Sequence, residues 1–351
     1  MHGIMQKEDF SRFIKGGDMS FLDLFEKGFA YRENGILKEP LLSLRDHGMN
    51  YVRLRIWHNP ENGWCGRGRT LAMAKRVKAA GLDLLLDIFY SDTWTDHRQQ
   101  AKPAAWYGHG LEELKVDVYH YTVEILQALE QQGTPAKMVQ IGNEIAHGML
   151  WEEGRVENWE SFVSLLKEGC RAAREVNSCP RIIIHNEYGG QKEDCEAFYG
   201  RLIADGLDFD IIGLSFYSVW QGPIAKLQEN IYNLAEKFDK KIIVVETGYP
   251  WTLENFDLRQ GAWKDETTLL PGYPATLEGQ YNYLRDFMDA IAKCPNGAGV
   301  GLFYWPTEYI AHPDYPSSSE NCAFWHSRTG ELLPSIKVWS HTVKIGEGIG
   351  K

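Results

Sequence analysis

Two glutamates stand where a pair of carboxylates could share one chemical task. In MVQIGNEIAHG, Glu144 follows directly on an apolar run, and in IIVVETGYPW, Glu246 closes another three runs later. Hydrolysis of a glycosidic bond needs such a pair. One carboxyl is protonated to assist the leaving oxygen, and the other is ionised to attack the anomeric carbon; about 5–5.5 Å separates them when configuration is retained. Burial near a second negative charge raises the pKa of one member, so Glu144 suits the acid/base role once Glu246 is the ionised nucleophile. Asn143, next to Glu144, could donate its amide to a sugar 2-OH. The competing reading of a single strand-end Glu is an ion pair with an Arg such as Arg53 or Arg55. Two of them, on the fourth and seventh of eight runs, form a more specific constellation.

The elements that must position this pair are legible as a repeat. Short β-rich runs cover residues 17–21, 51–57, 82–90, 138–144, 181–186, 209–217, 241–247 and 300–305, and helical periodicity covers 69–80, 111–132, 159–176, 224–238, 277–293 and 333–343. Near-continuous apolar strands alternating with amphipathic helices call for a buried parallel sheet. Eight units call for a single-domain α/β fold, a (β/α)8 TIM barrel over about 16–345. A doubly wound open sheet is the alternative, and the GxGxxG turn that would favour it is missing after the first run. A barrel does its chemistry at the C-terminal ends of its strands. Those ends carry Asp18, Arg53, Arg55, Trp57, Asp87, Asp92, Asn143, Glu144, His185, Glu187, Tyr217, Glu246 and Trp305.

Composition narrows the partners. A net charge of −11 with no Lys/Arg run argues against nucleic acid or an anionic membrane. Twelve Trp and 17 Tyr, many beside Gly, Pro, Asn or Asp, suit a neutral ligand with flat apolar faces, such as a sugar. The N-terminal stretch MHGIMQKEDFSRFIKGGD has no apolar h-region, and no segment reaches the ~18–20 apolar residues of a membrane span. Six scattered cysteines without CxxC pairs fit reduced thiols. These features together point to a soluble, cytoplasmic chain, or to a secreted one if a signal peptide has been removed.

At these same residues the sequence resembles clan A glycoside hydrolases, and within them glycoside hydrolase family 53, the endo-β-1,4-galactanases. The segments that carry the resemblance are GGDMSFL, YVRLRIWHNPENG, AKRVKAAGLDLLLDIFYSDTWTD, VQIGNEIAHGMLW, IGLSFYSVWQG and VVETGYPWT, spanning about residues 17–305. The resemblance implies a retaining enzyme acting on β-1,4-linked galactan or galacto-oligosaccharides. It implies Glu144 as acid/base, Glu246 as nucleophile and Asn143 as a sugar contact, with Arg53, Arg55, Asp92, Trp94, Tyr217 and Trp305 in cleft-lining motifs. Three departures stand out. Phe89 occupies a position usually held by His. YWPTEYI puts Pro306 where the family has Glu, with Glu308 two residues on. Residues 311–321 lack the Asp/Asn-rich loop that holds calcium in some relatives, so no metal or cofactor is expected. With no export signal, trimming of imported oligosaccharides is expected over attack on polymer. Two alternatives stay open: another clan A glycosidase acting on mannan or glucan, and a catalytically silent carbohydrate-binding barrel.

Trp94, Trp106, Trp151, Trp220, Trp251 and Trp305 follow strands or sit in adjacent loops. About half are expected to face the cleft and the rest to pack, with Trp251 and Trp305 among the binding candidates. His185 closes the fifth run and could bond a carboxylate or a sugar, without a catalytic role. The other histidines show no HExxH-type spacing. Lys137 and Lys240 lie at strand beginnings, which disfavours a Schiff-base lysine at the barrel mouth.

Overall fold

A computed structural model describes residue 10, residues 12–313 and residues 315–346. The stretch read for an export signal falls largely on residues 1–9, outside the described residues. Eight parallel strands close into a barrel: β1 (Ile14–Asp18), β2 (Tyr51–Ile56), β3 (Asp83–Ile88), β4 (Met138–Ile141), β5 (Arg181–Asn186), β6 (Ile211–Ser215), β7 (Lys241–Thr247) and β8 (Gly299–Tyr304), with β1 pairing both β2 and β8. The longer helices between them are α1 (Pro40–Asp46), α2 (Arg67–Ala79), α3 (Leu111–Gln131), α4 (Trp159–Glu175), α5 (Lys192–Ala204), α6 (Ile224–Lys237) and α7 (Leu277–Ala292), with single helical turns at Leu22–Phe25 and Ser218–Gln221.

Three expectations need correction. The first strand begins and ends three residues earlier than 17–21, because the Asp18 carboxylate accepts from the Ser20 N–H and turns the chain out of the sheet. The closing helix over 333–343 is a 3₁₀ segment, Pro334–Ser340. Helices α1 and α5 lie outside the helical stretches that the sequence marks: α1 has only seven residues, and α5 buries only Cys195, Phe198, Tyr199 and Leu202, a narrow i, i+3, i+4, i+7 stripe in a polar stretch.

Strand residues alternate between two cores. Ile14, Tyr51, Leu85, Met138, Ile183, Ile211, Ile243, Val245, Val300 and Phe303 fill the barrel interior, while their neighbours Val52, Leu84, Leu86, Val139, Ile182, Ile184, Ile212, Ile242 and Val244 pack outward against the helices. On the same inward parity, one step further along each strand, come Arg53, Asp87, Gln140, His185 and Gly213. The apolar plug thus supports a polar layer facing the mouth.

Strand β7 breaks the alternation. Leu214 pairs with Val244 and Ser215 with Glu246; on the other side Leu302 pairs with Val244 and Tyr304 with Thr247. Strand β7 therefore carries one residue more than either neighbour, a β-bulge. With Ile243 and Val245 both inward, strict alternation would turn Glu246 outward; the extra residue returns it to the mouth.

Barrel closure depends on close backbone approach at Gly301, which pairs with Ile14. A Cβ there would lie 2.4 Å from Ile14 Cβ and 2.6 Å from its carbonyl oxygen. Gly301→Ala is expected to cost about 2 kcal/mol, within the range of overpacked cores. Denaturant unfolding of the two proteins measures it, and an unchanged midpoint would contradict this account of closure.

Candidate active site

Loops at the C-terminal ends of the strands enclose a cleft of about 810 Å³. Its floor is a polar network centred on Arg53, whose guanidinium is fully buried. Nη1 lies 2.8 Å from Glu246 Oε1 and 3.4 Å from Asp18 Oδ2. Nη2 donates to Asp87 Oδ2 at 2.5 Å and to Asn143 Oδ1 at 2.9 Å, and Nε donates to Gln140 Oε1 at 3.0 Å. Burial of so many charges is tolerable because every donor is paired.

Glu246, 6% exposed, receives a second donor: Tyr217 Oη reaches Oε2 at 3.1 Å. Burial raises its pKa; the Arg53 charge and the Tyr217 hydroxyl oppose that shift by favouring the carboxylate.

Glu144 is held differently. After β4 the chain turns at Gly142, with φ of 85°, and Glu144 itself is left-handed at 48°. A non-glycine residue in that region carries strain, a common feature of functional sites. The turn points the half-buried carboxyl into the cleft, and among the described residues no cation pairs with it within 4 Å. Burial first, then the charges of Glu246 and Glu187, push its pKa well above the usual carboxylate range.

One hydrogen-bond chain links the two ends of the network. With Gln140 Oε1 committed to Arg53, its Nε2 donates to Asp87 Oδ1 at 3.0 Å and to His185 Nδ1 at 3.1 Å. His185 Nε2 then carries the proton and donates to Ser215 Oγ at 2.8 Å, and Ser215 donates to Glu144 Oε1 at 2.7 Å. Burial and the Arg53 charge hold His185 well below its ordinary pKa, consistent with this neutral tautomer.

Among the expected binding residues, Asn143, Trp94, Tyr217 and Trp305 line the cleft with the two glutamates, and Trp220 joins them. Asn143 spends one amide hydrogen on the Thr95 carbonyl at 2.9 Å, leaving the other for a ligand. The remaining candidates sit elsewhere. Asp92 lies outside the lining, because its oxygens accept from the backbone N–H groups of Asn59 and Ala104, both at 2.8 Å, and so tie two loops together. Trp251 stacks on Phe256 at 5.7 Å, away from the cleft. His185 lies behind Glu144. Arg55 is buried behind the aromatic wall of the cleft, 4.3 Å from the rings of Phe21 and Trp94 and 4.7 Å from Trp305. Trp106 packs on His58 and Tyr121, and Trp151 under Arg155. Phe89 packs against Trp57 and Trp94.

Gln140, Ser215, Tyr309 and Tyr315 also belong to the site, beyond the residues that the sequence singles out. Parity alone marks the first two, since Gln140 shares a face with Met138 and Ser215 with Ile211.

The comparisons with known proteins agree with this geometry. The model of glycosyl hydrolase family 53 matches residues 14–339. The chain belongs to that family. It is 46% identical to a Niallia circulans relative described as an uncharacterised protein in the bgaB 5′ region, over 85% of this chain and 84% of the relative. It is 32% identical to the endo-β-1,4-galactanase of Bacillus subtilis (strain 168), over 90% of this chain and 74% of that enzyme. Among solved structures, a family 53 catalytic domain from Ignisphaera aggregans superposes with a TM-score of 0.89 at 34% identity, covering 95% of this chain and 96% of the other. No helix among the described residues is long and apolar enough to cross a membrane.

Ser215 favours ionised Glu144, so its removal raises that pKa further. Ser215→Ala is expected to move the basic limb of the kcat/KM pH profile upward by about one unit, the equivalent of one hydrogen bond to a charged group. A limb that stays in place or moves down would contradict the chain described.

Proposed function

We propose that this chain is a retaining glycoside hydrolase of β-1,4-galactosidic bonds in galactan or galacto-oligosaccharides, with Glu246 as nucleophile and Glu144 as acid/base. The observation that carries the reading is the asymmetry of the pair. Burial pushes both carboxyls up, but Glu246 accepts from Arg53 and Tyr217, which favour its carboxylate, whereas Glu144 is pushed well above the usual carboxylate range and has no cationic partner within ion-pair reach among the described residues. Family membership and the galactanase activity named for the Bacillus subtilis relative support the substrate class.

In the first step the Glu246 carboxylate forms a bond to the anomeric carbon as the bond to the departing O4 breaks, and the Glu144 proton passes to that oxygen. In the second, the Glu144 carboxylate takes a proton from water, whose oxygen displaces Glu246 from the anomeric carbon. Two inversions restore the β configuration. Asn143, with its oxygen fixed by Arg53, offers its free N–H to the 2-OH, where hydrogen bonds strengthen in the transition state. Trp94 and Trp305 supply apolar faces for the ring.

The test follows galactan digestion by NMR. The β-anomer should appear first; initial α-anomer would refute retention. Glu246→Gln should give no turnover above background, and Glu144→Gln should lower kcat/KM by about 10²–10⁴-fold. Undiminished activity in either variant would refute its assigned role.

A further inference from the structure

Glu187, just beyond β5, lies in the cleft beside Glu144 and has no part in the steps above. Its side chain is 14% exposed. Oε2 accepts weakly from the Ala146 N–H at 3.4 Å, and the nearest cation-forming group to Oε1 is His147 Nε2 at 3.9 Å. Oε1 is screened from solvent and has no hydrogen-bond partner. An unsatisfied oxygen in such a place costs free energy, and proteins retain few of them. The surroundings are built rather than incidental: Gln221 donates to the Glu187 carbonyl at 2.6 Å, and Tyr188, Gln191 and His147 complete this wall of the cleft.

The position of this wall says which part of a ligand it meets. Glu246 attacks from β7, and Glu144, on the β4 turn, protonates the oxygen that leaves. The departing sugar therefore lies on the Glu144 side, against the loops after β5 and β6. In a β-1,4 linkage the leaving oxygen is O4 of that sugar, whose flanking hydroxyls are the 3-OH on the ring and the 6-OH on its exocyclic carbon. We propose that Glu187 binds the leaving-group sugar, its free Oε1 accepting a hydrogen bond from one of the two hydroxyls that flank the departing O4. This rests on the roles given above to Glu144 and Glu246. Burial pushes Glu187 up to about 7, which suits a group that binds hydroxyls rather than a fixed cation.

The test compares wild type, Glu187→Gln and Glu187→Leu on two substrates across pH. One is β-1,4-galactotetraose. The other is 4-nitrophenyl β-1,4-galactobioside, which puts an aryl ring without hydroxyls in the leaving position. The loss of kcat/KM on the tetraose is expected to exceed that on the aryl substrate at least tenfold, on the pH plateau, and more for Leu than for Gln. Transfer of galactobiosyl groups to added galactose should fall in parallel. Equal losses on both substrates would overturn the assignment in favour of a structural role. A tetraose deficit that vanishes on the plateau and reflects only a moved basic limb would overturn it in favour of tuning through Glu144. A wild type inert on both substrates would overturn the galactosidase reading itself, and the assignment with it.

Discussion

The guanidinium of Arg53 is the constraint on which the site depends. Its five N–H donors, rigid and planar, meet five oxygens carried by four other strands: Asp18 on β1, Asp87 on β3, Gln140 and Asn143 on and just after β4, and Glu246 on β7, with Arg53 itself on β2. A lysine could not do this, because its compact ammonium lacks the fork that reaches several acceptors at fixed angles. The pairing makes burial of Glu246 tolerable, fixes the amide of Asn143, and by occupying Gln140 Oε1 decides which way that amide faces. From that single orientation follow the tautomer of His185 and the hydroxyl direction of Ser215, and so the hydrogen bond received by Glu144. The carboxyls of Glu246 and Glu144 are therefore both set by one buried charge, acting directly on the first and through three side chains on the second.

A barrel makes such an arrangement possible. The interior plug, from Ile14 to Phe303, packs buried apolar side chains beneath the polar layer, so the charges above it act in a low-dielectric floor where pairing is strong and unpaired groups are costly. Arg55 adds a second buried cation behind the aromatic side of the cleft. It lies against Phe21, Trp94 and Trp305, and this contact braces the rings that Trp94 and Trp305 present to the cleft.

Much of this was legible in the sequence, and the exceptions have physical causes. The eight strands announced themselves as apolar runs because both of their faces are buried, and the polar residues that end those runs marked the mouth of the barrel. Glu144, Glu246 and Asn143 could be named from position alone. The bulge could not: IIVVET contains no Gly or Pro to signal an extra residue, and its plain alternation would have turned Glu246 away from the cleft. Asp92 and Trp251 look like binding residues by type and loop placement. Only their partners, two backbone N–H groups in one case and Phe256 in the other, show how they are spent. Gln140 and Ser215 failed to stand out for the opposite reason, being uncharged residues inside apolar runs whose importance lies in what they connect.

The central claim is that the Arg53-held carboxylate of Glu246 attacks the anomeric carbon. Incubation with a 2-deoxy-2-fluoro-β-galactobiosyl fluoride, followed by peptide mass spectrometry, tests it most directly, because the fluorine slows breakdown of a covalent glycosyl-enzyme. A single adduct on Glu246 is the predicted result; turnover without any adduct, or an adduct on Glu144 or another residue, would contradict the account.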